Sequence, residues 1–174
     1  SIFPNKVGSI LEGASRPGHF EGVLTVVNRL FNLVKPSHAV FGKKDAQQLF
    51  LIKDMVNRFD LNIEIIEGEI FRDINGLALS SRNKHLSHDA KLNAANIFKS
   101  LQKVAQEINL GKSFKESVEI GINLISQNEI DLDYLAIVDE ENFNYPNKYS
   151  KKLKLLIAAY VENVRLIDNI DIKI

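Results

Sequence analysis

Ala39-Val40-Phe41-Gly42-Lys43-Lys44-Asp45 is the stretch on which the fold turns. Three apolar residues, read as a short buried strand, run into a glycine and then into two cations and an acidic residue. Before it, Val23, Val27, Leu30 and Val34, with Leu24 and Phe31 beside them, have helical spacing from Phe20 to Val34, and Pro36 closes that segment. After it, Leu49, Ile52, Val56 and Phe59 form a second helical stripe from about Asp45. Asn62 to Glu67 then alternates around Ile63 and Ile65 and reads as a strand. Strand, glycine turn, helix and strand in that order make a parallel crossover unit of an α/β sheet. Ligands of such sheets sit beyond the carboxyl ends of the strands, where Gly42 to Asp45 falls.

The pattern changes after Arg82. Ser87 to Ile108 reads as a long helix with Ala94, Phe98, Leu101, Val104 and Ile108 on one side, ended near Gly111. Ser113 and Glu116 have capping-box spacing before a helix carrying Val118, Ile122 and Ile125. Three strand-like runs follow, Leu132 to Val138, Leu153 to Val161 and Val164 to Ile174, the last alternating at Ile170, Ile172 and Ile174. Tight turns between the later strands predict an antiparallel sheet with helices. The expected division is residues 1–70 and 71–174.

The bulk numbers narrow the function classes. The chain has 174 residues, and 22 basic side chains balance 22 acidic ones. Zero formal charge implies no general attraction to nucleic acid or to an acidic membrane. The absence of cysteine removes disulfides, thiolate nucleophiles and cysteine metal sites, and fits a cytoplasmic protein. No apolar run approaches transmembrane length.

Two elements suit phosphate. Gly42 permits a sharp turn before a helix start, whose N–H groups and partial positive charge join Lys43 and Lys44 in holding an anion. Asp45 fits a cap, a ribose hydroxyl acceptor or a metal contact. The plain alternative is a strand-to-helix turn with two solvated lysines. Gln48, three residues after Asp45, reads either as the partner in a variant capping box or as an amide reaching a polar substrate. The second element is Gly76-Leu77-Ala78-Leu79-Ser80-Ser81-Arg82-Asn83, with two hydroxyls and a guanidinium on a polar turn. A surface turn is its alternative, although the apolar approach Leu77-Ala78-Leu79 suggests a held loop. Arg16-Pro17-Gly18-His19 precedes the first helix, where an arginine and a histidine can meet an anion or simply lie on the surface. The histidines show no metal-ligand spacing.

Arg16-Pro17-Gly18-His19-Phe20, Phe41-Gly42-Lys43-Lys44-Asp45 with Gln47-Gln48-Leu49, and Asp73-Ile74-Asn75-Gly76-Leu77-Ala78-Leu79-Ser80-Ser81-Arg82-Asn83 together resemble the pantothenate synthetase (pantoate–beta-alanine ligase) family. The order and spacing agree, as does Arg165-Leu166-Ile167-Asp168-Asn169 near the end. The resemblance implies the C-terminal part of a Rossmann-like, nucleotidylyltransferase-type parallel sheet, followed by a smaller α+β lid domain with antiparallel strands. It implies a ligase that activates pantoate with ATP as an adenylate and passes the acyl group to beta-alanine. ATP, carried with Mg2+, would be bound by Gly42, Lys43, Lys44, Asp45, Phe71, Leu79, Ser80, Ser81 and Arg82. Within that set, Lys44, Ser80, Ser81 and Arg82 would be catalytic, Lys44 meeting the transferred phosphoryl group and the backbone of Phe71 meeting adenine. Gln48 aligns with a pantoate ligand. Arg16 and His19 are similar to residues near the site, with roles left open. A homodimer is implied, with no nucleic-acid or membrane partner and no dedicated metal cage.

The chain departs from the family at Lys43, where an acidic or polar residue is usual, and at Ala46, where an aromatic is usual. The larger departure is that it contains no His-x-Gly-His run. Family members carry that motif in an N-terminal half-domain, and its histidines stabilise phosphate charge during adenylation. The expectation is therefore the C-terminal part of a longer enzyme, inactive alone. A nucleotidyltransferase with another acceptor, or a non-catalytic nucleotide-binding fragment, are the other readings.

Overall fold

The computed structural model describes residues 1–173, so Ile174, included in the expected last strand, lies outside the described residues. The chain forms two compact units, Ser1–Glu69 and Ile70–Ile174.

In the first unit a 3-10 turn, Lys6–Ser9, and a short helix α1, Glu12–Ser15, lead into α2, His19–Val34. Strand β1, His38–Gly42, helix α3, Ala46–Arg58, and strand β2, Glu64–Gly68, follow. The strands pair in parallel, with Ala39 opposite Ile65 and Gly42 opposite Gly68. Helix α3 makes the crossover that a parallel pair requires. Leu49, Ile52 and Val56 are buried as the period predicts, together with Leu51 and Met55. Phe59 departs from the stripe and is exposed.

The first unit departs from the sequence expectation at β1 and α2. Strand β1 is not buried: its residues alternate between exposed and half-buried, and Val40 is 67% exposed. Among the described residues the parallel sheet has two strands, so each is an edge and the faces are incompletely covered. On α2 the buried side chains are Phe20, Leu24 and Phe31, while Leu30 and Val34 of the expected stripe are exposed. This helix is apolar on more than one side, and α3 covers one of them.

The second unit is an antiparallel sheet in the order β3-β4-β5, comprising Asp131–Asp139, Lys152–Val161 and Val164–Lys173. Helix α4, His88–Asn109, lies over β4 and β5, and α5, Phe114–Ser126, lies over β3. Between them Leu101, Val104, Ile125, Leu153, Leu155 and Ile157 form a core closed to solvent. The β4–β5 turn has two residues, Glu162 and Asn163, both left-handed, which suits the right-handed twist of a hairpin. Gly111 follows α4 with φ +90°. The expected capping box is complete: Ser113 Oγ accepts from the Glu116 amide while the Glu116 carboxylate accepts from the Ser113 amide. Ser87 caps α4, and the Glu162 carboxylate accepts from its amide and hydroxyl, tying the hairpin turn to the helix start.

A Cβ at Gly121 would lie 2.4 Å from Val104 Cγ2 and 2.9 Å from Leu135 Cδ2. Gly121→Ala is therefore expected to destabilise the second unit by about 1–3 kcal/mol, read as a lower midpoint in urea. The hydrogen bonds from Ser87 hold the Glu162 carboxyl below the usual carboxylate range. A depressed folded-state pKa stabilises above the unfolded value and loses that contribution as pH falls through the folded one. Thermal melts across acidic pH should show Glu162→Gln less stable at neutral pH and less sensitive to acid than the parent.

Candidate functional site

Helix α3 begins at the carboxyl end of β1. Asp45 stands at its N-cap, yet makes no side-chain cap hydrogen bond. The capping reading of Asp45, and with it the capping-box reading of Gln48, is thereby overturned. The Lys43 amide donates to the Gly68 carbonyl at 2.8 Å, stitching the turn to β2. What remains is a helix start whose first N–H groups have no side-chain acceptor from Asp45, with half-buried Lys44 and Gln48 beside them. Such a start favours an anion.

Gly42 has a second meaning in the structure. Its φ is not left-handed, and a Cβ built there meets nothing within 4 Å. The turn itself does not require glycine, and the bare backbone leaves open space at the strand end. Lys43 does not project as an isolated solvated charge. Its Nζ lies 2.5 Å from Glu69 Oε1 and 4.0 Å from Glu67 Oε2, while Glu67 is also paired with Lys53.

Arg16 and His19 flank the left-handed Gly18 at the start of α2, and Arg16 Nη1 lies 3.0 Å from His19 Nε2. The tail of the motif contains a residue that sequence reasoning passed over. Gln47 is 3% exposed and satisfies three backbone groups: Nε2 donates to Val7 O at 2.7 Å and Ile10 O at 2.9 Å, and Oε1 accepts from the Glu12 amide at 3.1 Å. Gln47 fastens the chain entering α1 to α3, and Gln48, the adjacent residue, is left half-buried beside the helix start. A polar residue inside the buried stripe of a helix was the available signal.

In the second unit, residues 71–79 form a small hairpin. Leu79 N donates to Phe71 O at 2.8 Å, Arg72 and Ala78 form an antiparallel bridge, and Asp73 Oδ1 accepts from the amides of Asn75 and Leu77. Phe71 and Leu79 are exposed at its open end. Ser80 Oγ accepts from the Arg82 amide and starts a 3-10 turn, Ser81–His85. Ser81 and Arg82 are exposed, and Arg82 Nη1 donates to Arg165 O on β5 at 3.1 Å. A hydroxyl, a guanidinium and an exposed turn are thus presented on a held loop, donors suited to phosphate oxygens. Sequence reasoning also missed Arg72, whose guanidinium meets Asp168, Gly76 O and the ring of Phe98.

Each phosphate-type element is built within its own unit: Gly42, Lys43, Lys44, Asp45 and Gln48 with Arg16 and His19 in the first, Phe71, Leu79, Ser80, Ser81 and Arg82 in the second. Among the described residues no group of three or more His, Asp or Glu side chains is arranged to hold a metal.

A family model described as Pantoate-beta-alanine ligase matches residues 1–171. A pantothenate synthetase of Shewanella denitrificans is 42% identical over 165 residues, covering 95% of this chain and 59% of the relative. One of Campylobacter fetus is 43% identical, covering 97% and 62%. The chain thus spans about three fifths of the length of these relatives. The crystal structure of the enzyme from Thermus thermophilus superposes with a TM-score of 0.93 at 35% identity, covering 98% of this chain and 62% of that one. That of pantoate-beta-alanine ligase from Francisella tularensis, complexed with beta-gamma ATP and beta-alanine, gives 0.74 at 35% identity, covering 97% and 57%.

Gln47→Ala removes the partner of the Val7 and Ile10 carbonyls and of the Glu12 amide. It is expected to destabilise the first unit by about 1–3 kcal/mol, whereas Gln48→Ala leaves stability nearly unchanged. Denaturant unfolding of both variants checks the contrast.

Proposed function

The chain belongs to the pantoate-beta-alanine ligase family, and we propose that it carries part of the machinery that condenses pantoate with beta-alanine at the expense of ATP. The observation that supports this most directly is the start of α3. It opens beyond a strand end, lacks a side-chain cap, and has Lys44 beside it and no side chain on Gly42. A helix start in that condition suits a polyphosphate.

The proposed reaction has two steps. A pantoate carboxylate oxygen attacks the α-phosphorus of ATP, the bond to the pyrophosphate oxygen breaks, and pantoyl adenylate forms. The beta-alanine amine then attacks the acyl carbon, loses a proton and expels AMP, giving pantothenate. In this reading Lys44 and the α3 amides meet the phosphates, and Ser80, Ser81 and Arg82 hold phosphate oxygens from the second unit. The backbone at Phe71 meets adenine, Leu79 belongs to the ATP-binding set, and Gln48 meets pantoate. Asp45, having no cap to make, is available to a ribose hydroxyl. Mg2+ enters with ATP as part of the substrate, as is usual where the metal rides on phosphates. The first unit serves as the partial Rossmann-like domain for ATP and pantoate, and the second carries the Ser80–Arg82 loop. The working enzyme is read as a cytoplasmic homodimer.

Adenylation needs charge stabilisation aimed at the phosphorus under attack, and losing a single preorganised donor costs on the order of a hundredfold or more in rate. The 174 residues include no His-x-Gly-His. The chain alone is therefore expected to form no pantothenate, and detection of product by the chain alone would overturn that point. Calorimetry with millimolar ATP and Mg2+ is expected to give binding heat, weakened about tenfold or more in Lys44→Ala, the loss of a charge-assisted contact. Absence of any heat would remove the nucleotide assignment for this chain.

A further inference from the structure

Strand β5 places Leu166, Ile170 and Ile172 on the face that meets the helices, where they are buried or half-buried. Asp168 occupies the same face by the period of two. Its side chain is 4% exposed, so a carboxylate stands where the pattern calls for a branched aliphatic residue. Burying such a charge is costly unless it is paired and hydrogen-bonded. Arg72 supplies the pairing with both ends of its fork: Nη1 to Oδ2 at 2.5 Å and Nη2 to Oδ1 at 2.9 Å. The same guanidinium lies 3.7 Å from the centre of the Phe98 ring and donates to Gly76 O at 3.1 Å.

These contacts tie down the hairpin at two points. Arg72 is in its first arm, bridged to Ala78 in the second, and Ser80 follows two residues later. Gly76, with φ +96°, sits so close to Phe98 that a Cβ would come within 2.8 Å of Cδ1. A loop held in place before its ligand arrives spares the ordering cost on binding. A buried ion pair is a poor source of net stability compared with apolar side chains of similar volume, whereas its planar, two-pronged geometry fixes orientation.

We propose that Arg72, locked by Asp168 and Phe98, is the positioning residue of the Ser80–Arg82 loop and sets where Arg82 meets its anion. The anion part of this assignment rests on the ATP reading above; the loop-holding part does not.

Arg72→Lys keeps the charge and removes the fork, and Asp168→Asn, a second route should the first variant fail to fold, keeps the shape and removes the charge. Amide hydrogen exchange on the full chain is expected to rise about tenfold at Leu79, the equivalent of one lost net hydrogen bond, with Ile157 in β4 unchanged. No change at Leu79, or an equal rise at both amides, overturns the proposal. Calorimetry with ATP and Mg2+ adds a readout that general destabilisation would not move. Arg72→Lys should weaken binding about tenfold, and Arg72→Lys combined with Arg82→Ala should bind no more weakly than Arg82→Ala alone. Fully additive losses overturn the coupling to Arg82. A parent chain that fails to bind ATP sinks the nucleotide reading instead, while the exchange comparison still decides whether Arg72 holds the loop.

Discussion

The first turn of a helix leaves backbone N–H groups that no intrahelical carbonyl reaches. This protein meets that constraint in two ways. Helices α4 and α5 begin at Ser87 and Ser113, each of which accepts from its own first turn. Helices α2 and α3 begin at Gly18 and Asp45, and neither has a side-chain cap. The capped helices hold the antiparallel sheet and its core. The uncapped starts coincide with Arg16-Pro17-Gly18-His19 and Gly42-Lys43-Lys44-Asp45, two of the motifs that carry the family resemblance. A helix start without a side-chain cap favours an external anion.

The second unit shows the complementary strategy, a loop made rigid by groups buried beneath it. Ser80, Ser81 and Arg82 sit on a short polar turn that would be ordinary surface on composition alone. Its shape comes from below: the Asp73 carboxylate bonded to nearby amides, the Arg72 fork on Asp168, and the ring of Phe98 under the guanidinium. Strand β5 serves twice, because Arg165 O receives Arg82 and Asp168 receives Arg72. The run Arg165-Leu166-Ile167-Asp168-Asn169, noticed in the sequence as part of the resemblance, thus has a physical role as the seat of the loop.

Much of the fold was legible because its periods are strong. The helices of the second unit, their Ser113 cap and Gly111 end, and the three strands all follow from spacing and turn chemistry that act within a few residues. The misreadings came where one local pattern serves two surroundings. Ala39-Val40-Phe41 has the composition of a buried strand, but burial depends on what lies on either side, and Val40 is exposed. The stripe Val23, Val27, Leu30, Val34 is a real apolar face of α2, yet the face that packs on α3 holds Phe20, Leu24 and Phe31. Asp45 has the identity and position of a cap without making one, because residue type fixes what a side chain is able to accept and not which way it turns.

The sequence by itself determined the parallel crossover unit, the antiparallel second half, the family, and the two motifs Gly42 to Asp45 and Gly76 to Asn83, since each is written in residues close together along the chain. Only the tertiary structure decided which members of those elements are engaged and which are presented. It set Lys43 against Glu67 and Glu69, turned Gln47 inward to three backbone groups, left the α3 start uncapped by Asp45, and joined Arg72 to Asp168 across 96 positions. Such pairings depend on distance in space and on the cost of burying an unpaired polar group. Neither quantity is encoded by spacing along the chain.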